Sequence, residues 1–109
     1  MDTLDVLIHE ADRLYNRGSY EKAFLLFLRL AEQGNPHALF MLGNMHRYGE
    51  GIPVDYEKAV KYYRLAIEQG HRKACYYLAL MYYQGYGVKK NVVEAARLLR
   101  LSMDGKGDE

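Results

Sequence analysis

His37-Ala38-Leu39-Phe40-Met41-Leu42-Gly43-Asn44-Met45-His46-Arg47-Tyr48-Gly49-Glu50-Gly51 is answered 36 residues later by Lys73-Ala74-Cys75-Tyr76-Tyr77-Leu78-Ala79-Leu80-Met81-Tyr82-Tyr83-Gln84-Gly85-Tyr86-Gly87. The register runs without gaps from His37–Gln69 onto Lys73–Gly105, through Ala38/Ala74, Leu42/Leu78, Met45/Met81, Gly49/Gly85, Gly51/Gly87 and Ala59/Ala95. It also reaches back, laying Tyr20-Glu21-Lys22-Ala23 on Tyr56-Glu57-Lys58-Ala59. A period of this length signals an array whose units bury their apolar faces by stacking on one another. In such an array function resides in the surface the stack presents.

Outward from the repeat, the apolar spacing predicts helices. Leu4, Leu7, Ile8, Ala11 and Leu14 recur at three- and four-residue steps, the mark of an amphipathic helix. Gly18-Ser19 ends it, and Ser19 is expected to cap a second helix over about 20–33. Asn35-Pro36 opens a third, with Asn as cap and Pro at the first helical position. Asp55 is expected to cap the fourth, and Asn91 with Glu94 has capping-box spacing at the sixth. The paired glycines of Gly49-x-Gly51 and Gly85-x-Gly87 suit a chain reversing at positive φ. Gly43, the one interior glycine away from a turn, is matched by Ala79, so both positions call for a small residue where helices approach. The expectation is an all-α fold of three helix-turn-helix units, about 2–34, 35–70 and 71–105, forming one domain over 1–109 with a charged tail at 104–109.

Half of the 109 residues are apolar, which argues for a globular chain. No apolar run approaches the ~18 residues of a membrane span. The start, Met1-Asp2-Thr3-Leu4-Asp5, lacks the basic opening of a signal peptide, so a cytoplasmic location and no membrane partner are expected. A net charge of +1 argues against nucleic-acid binding. The charge is graded, −2 over residues 1–36, +1 over 37–72 and +2 over 73–109.

Chemistry is sparse. His37 and His46 fall on opposite faces of one helix, and neither His9 nor His71 has the spacing of a zinc ligand. Cys75 is the only cysteine; a helix start can acidify it, but the simpler reading is a small buried apolar residue. Gly85-Tyr86-Gly87-Val88-Lys89 lacks the strand and the Gly-Lys-Ser/Thr ending of a phosphate loop. No nucleophile, base and orienting group assemble, so neither catalysis nor a cofactor or metal is expected.

Ala38-x3-Leu42-Gly43, Gly49-x-Gly51-Ile52-x2-Asp55-x2-Lys58-Ala59-x2-Tyr62-Tyr63-x2-Ala66-x3-Gly70 and its second copy from Ala74 resemble the Sel1-like repeat, a relative of the tetratricopeptide repeat. The second copy departs at Asn91, Glu94 and Leu98-Leu99, and the first has His46 where the family has Tyr. The N-terminal unit, whose turn is four residues shorter, looks more like an ordinary tetratricopeptide unit. The resemblance implies a right-handed superhelix that binds proteins, with the first helix of each pair lining a concave groove. That groove would take Asp5, Ile8, Asp12, Tyr15 and Asn16, then His37, Phe40, Asn44, Arg47 and Tyr48, then Lys73, Tyr76, Leu80, Tyr83 and Gln84. Five of these fifteen are aromatic, against 13% of the chain, and aromatics anchor interfaces. Tyr62, Tyr63 and Tyr82 fall at family packing positions and are assigned to the core. The functional expectation is an adaptor that holds a protein or peptide in this groove; the alternative is an inhibitor of the immunity type. In the last helix Val93, Leu98, Leu99, Leu101 and Met103 cannot all face one neighbour. Val93, Leu98, Leu101 and Met103 therefore form a candidate end-to-end interface for a homodimer, unless the tail folds back or the array continues.

Overall fold

The computed structural model describes residues 2–104; of the charged tail expected at 104–109, only Asp104 lies within them. Six helices follow in order: α1 (Thr3–Asn16), α2 (Tyr20–Glu32), α3 (Pro36–Tyr48), α4 (Tyr56–Glu68), α5 (Lys73–Gln84) and α6 (Val92–Met103). Each packs on its neighbours in sequence, so α1/α2, α3/α4 and α5/α6 form three units joined along the α2–α3 and α4–α5 seams. Among the described residues no helix is long and apolar enough to cross a membrane.

The helix starts follow the side chains that can satisfy free N–H groups. Asn35, Asp55 and Asn91 each accept from the backbone N–H three residues on, at 2.9, 3.1 and 3.0 Å. Two expectations fail here. Ser19 stands at the N-cap of α2, but at ψ 64° it is not extended and its hydroxyl makes no capping bond. The box at α6 is half built: Glu94 turns away to pair with Arg97 at 2.6 Å, and the Asn91 N–H donates to the Tyr82 carbonyl instead.

That last bond belongs to a repeated turn. Asp55 N–H donates to the His46 carbonyl as Asn91 N–H does to Tyr82, both at 2.9 Å. Gly49 and Gly85 end α3 and α5 in the left-handed region, donating to the carbonyls of Met45 and Met81. The second glycine of each pair does a different job. A Cβ on Gly51 would lie 2.8 Å from Tyr20 Cβ, and one on Gly87 would strike the Tyr56 carbonyl. Each turn thus presses on the start of the preceding unit's second helix, and the Gly-x-Gly motif closes the seam as well as reversing the chain.

Within units, the helices meet through a small residue under a large one. Gly43 lies beneath Tyr63, whose ring carbons would be 2.6 Å from an added Cβ. At the same repeat positions stand Ala11 with Phe27 and Ala79 with Leu99. Ala11, Phe27 and Tyr63 are fully buried and Ala79 nearly so. Tyr62 and Tyr82, expected in the core, are only partly buried against it.

Candidate functional site

The seams show what each unit presents to the next. Across the first, Asp12 Oδ1 meets His37 Nε2 at 2.8 Å, and the Tyr15 hydroxyl donates to Glu50 at 2.9 and 3.0 Å. Phe24 and Phe27 meet His46 and His37 edge-on. Across the second, Phe40 stacks on His71 at 4.5 Å and takes the edge of Tyr77 at 5.2 Å. Lys73 Nζ lies over the Phe40 ring, Arg47 reaches Gln84, and Tyr56 stacks on Tyr86.

These contacts reassign several residues expected to line the groove. Phe40 (4% exposed) and Asn44 (9%) are buried rather than open to a ligand. The rings of α5 and His71 cover Phe40, and Asn44 accepts the Tyr63 hydroxyl at 2.6 Å. Ile8, Asp12, Tyr15, Arg47 and Leu80 are half-buried, while Lys73 and Gln84 are exposed. Of the aromatics, Tyr48, Tyr76 and Tyr83 stand open, Tyr83 the most at 58%. Tyr76 and Tyr83 stand on α5 and Tyr48 at the end of α3: Arg47 lies 5.2 Å above the Tyr48 ring and 6.0 Å from that of Tyr77, and Tyr76 meets Tyr77 edge-on at 5.3 Å. Tyr77, which bridges Phe40, Tyr63 and Tyr76, was missed in the sequence reading because its repeat partner is Met41, a residue without a ring.

At the C-terminal end, Leu98 turns inward and is 3% exposed, so it is no part of an outer interface. Val93 (81%) and Met103 (75%) are open. Leu101 borders a shallow pocket of about 260 Å³ with Ile67, Gly70, His71, Arg72 and Cys75, and its carbonyl accepts from Arg72 at 3.1 Å. Burial pushes the Cys75 thiol up, against the acidifying pull of a helix start, so it is not poised as a nucleophile.

Two histidines carry the seams in neutral form. Burial, reinforced by Lys58, holds the His46 imidazole below its ordinary value. Burial, with His37 and Lys73 nearby, does the same for His71. Nδ1 of each is buried without a hydrogen-bond partner. Because both folded values lie under the unfolded one of about 6.5, the unfolded chain binds protons first. Stability is therefore full above that value and is lost as pH falls through it toward the folded values. Thermal melts between pH 8 and pH 5 (on the scale of that titration) are expected to show a falling Tm, with a shallower fall in His46→Phe. An unchanged slope in that variant would assign the effect elsewhere.

The Sel1 repeat family pattern matches residues 14–35, 36–71 and 72–104. A search of curated proteins gives no match. Among solved structures, the chain is similar to a Sel1 repeat protein from Oxalobacter formigenes, with 31% identity and a TM-score of 0.82 over 89% of this chain and 40% of that one. It is similar also to a protective antigen of uropathogenic Escherichia coli strains displaying an SLR fold, with 30% identity and a TM-score of 0.75 over 95% of this chain and 26% of that one. Cysteine rich protein B of Helicobacter pylori shares the fold at 21% identity, with a TM-score of 0.74 over 96% of this chain and 90% of that one. The chain thus spans less than half the length of the first two. Proteins of this kind are generally non-catalytic modules for protein–protein interaction. With three matched repeats and helix pairs built on the same glycine turn, the chain belongs to the Sel1 repeat family.

Proposed function

We propose that this chain is a protein-binding module whose working surface is the tyrosine face of its third unit, Tyr76, Leu80 and Tyr83, flanked by Tyr48. One observation carries the reading. Tyr76, Leu80 and Tyr83 recur at i, i+4 and i+7 along one face of α5, and the two tyrosines are 44% and 58% exposed. Their repeat equivalents Phe40, Asn44 and Arg47 are buried or half-buried, with α5 packed over Phe40 and Arg47. An open apolar stripe where sister units bury theirs is a surface prepared for a partner. Tyrosines supply large contact area at low entropic cost, and the adjacent Arg47 and Gln84 give a polar rim. The ligand expected is a protein segment with apolar side chains, held on the groove side that the family likeness implies.

The test is capture from native lysate by the tagged chain beside the Tyr48/Tyr76/Tyr83→Ala triple variant, with quantitative mass spectrometry. Each truncation at an interface anchor costs about 1–2 kcal/mol, so the triple variant should bind at least ~100-fold more weakly. The three side chains are exposed, so helical circular dichroism should be unchanged. Equal capture of every bound protein by both forms would overturn the reading.

A further inference from the structure

Among the described residues, Arg47 is a cation that the array leaves without a carboxylate. Its guanidinium lies 5.2 Å from the Tyr48 ring and 6.0 Å from the Tyr77 ring, and the residue is half-buried. Nη1 is buried with no hydrogen-bond partner. Nη2 reaches the Gln84 side-chain oxygen at a long 3.5 Å. A guanidinium has five N–H donors, and one long bond does not offset taking it half out of water.

The first seam shows what the repeat places here. Allowing for the shorter first turn, the position of Arg47 is Tyr15 in the first unit. Tyr15 directs its hydroxyl at both oxygens of Glu50, in the Gly-Glu-Gly turn of the next unit, at 2.9 and 3.0 Å. One period on, the place of Glu50 is taken by Tyr86, whose ring stacks on Tyr56. A neutral phenol thus has the carboxylate, and the cation at the same position goes without.

The neighbouring helices supply none either. Neither α3 nor α5 contains an Asp or Glu, and together they hold His37, His46, Arg47 and Lys73. Lys73 Nζ lies over the Phe40 ring rather than against an acid. Residues 37–72 and 73–109 carry +1 and +2, so the field along these helices draws anions. All of this lies at the seam of the second and third units, away from either end of the array.

We infer that Arg47 receives an aspartate or glutamate side chain of the bound protein segment, with Gln84 giving up its place at Nη2. The inference rests on the proposed function and names the charge that the apolar segment on the tyrosine face must also carry. The planar fork of Arg47 takes both carboxylate oxygens at once, and the adjacent rings keep water from the pair. A neutral or basic segment leaves the cation as it stands, so the site selects by charge.

Panning a phage-displayed random-peptide library on the tagged chain, then titrating the enriched peptides calorimetrically as free synthetic peptides, tests it. Enriched sequences should hold an Asp or Glu beside apolar residues. Replacing that acid by its amide should weaken binding to the wild type about tenfold or more. The same replacement should leave affinity for Arg47→Gln unchanged, because that variant has already lost the pair. Helical circular dichroism and Tm should stay near wild type in Arg47→Gln, which removes one long bond. Should Tm fall, Arg47→Lys keeps the charge without the fork, and the acid-to-amide replacement should then weaken binding less than in wild type. Enriched peptides without an acid, equal loss in wild type and variant, or no enrichment each overturn the inference. Acid-free peptides that no longer bind the Tyr48/Tyr76/Tyr83→Ala variant would remove the carboxylate and keep the tyrosine face. Peptides coupled to Arg47 yet indifferent to that triple variant would do the reverse.

Discussion

Gly87→Ala is expected to lose about 3 kcal/mol of folding stability, and to lose it at one seam. Gly87 holds φ +74°, where an alanine costs about 1–2 kcal/mol. Its Cβ would also strike the Tyr56 carbonyl and lie 2.9 Å from the Glu57 nitrogen. Those atoms are backbone at the start of α4, so they cannot rotate aside as a side chain does. Either the second seam opens or α4 shifts against α3, an overpacking cost of about 1–3 kcal/mol. Gly70→Ala separates the two contributions. Gly70 has φ +89° with nothing within 4 Å of an added Cβ, so only the conformational cost of about 1–2 kcal/mol applies. At about 4–8 °C per kcal/mol for a domain of this size, Gly87→Ala should lower Tm by roughly 12–24 °C, and Gly70→Ala by one third to two thirds of that. Since stability in a repeat array is a sum over units and seams, the third unit should loosen first. Limited proteolysis should then cut α5 and α6 before α1 to α4. Equal losses in the two variants would show that the close approach carries no energy.

The two glycines of this turn mark what was legible in the sequence. Their identity and spacing announced a chain reversal at positive φ, and Gly85 does end α5 in that conformation. That Gly87 touches Tyr56 was hidden, because the contact joins residues of different units and the repeat fixes only relations within one period. The site shows the same division. Family register places Phe40 and Asn44 on the same helix face as Arg47, and that much holds. What covers a face depends on the neighbouring unit: Lys73, His71 and Tyr77 close over Phe40, while its counterpart Tyr76 stays 44% exposed. Leu98 illustrates the limit from the other side. Its helix has more apolar residues than one neighbour can bury, and composition does not say which turn inward; Leu98 does, and Val93 and Met103 do not. Ser19 has the right residue type for a cap, yet the bond needs a backbone angle that its short turn does not supply.

The second large effect is a reversal of sign at Gly43. Tyr63→Leu alone should cost about 3 kcal/mol, from lost ring packing and from leaving the buried Asn44 oxygen without the tyrosine hydroxyl. Gly43→Ala alone sets a helix-propensity gain of about 1 kcal/mol against a Cβ driven 2.6 Å from two ring carbons. The ring is fully buried and tethered at its far end to Asn44, so overpacking of about 1–3 kcal/mol wins and the variant is destabilised. With leucine at 63 the ring is gone, and the same alanine should stabilise by up to about 1 kcal/mol. A double-mutant cycle in urea would read this as a coupling of about 2 kcal/mol. The other units explain why the coupling belongs to this pair. Where position 44 is Leu80, the large partner is Leu99 and the small one Ala79; where it is Asp12, bonded to His37, the partner is Phe27, without a hydroxyl, over Ala11. Only in the second unit does an amide on α3 draw a phenol across the helix crossing, and only there is the small residue glycine. Equal destabilisation by Gly43→Ala in both backgrounds would sever that link.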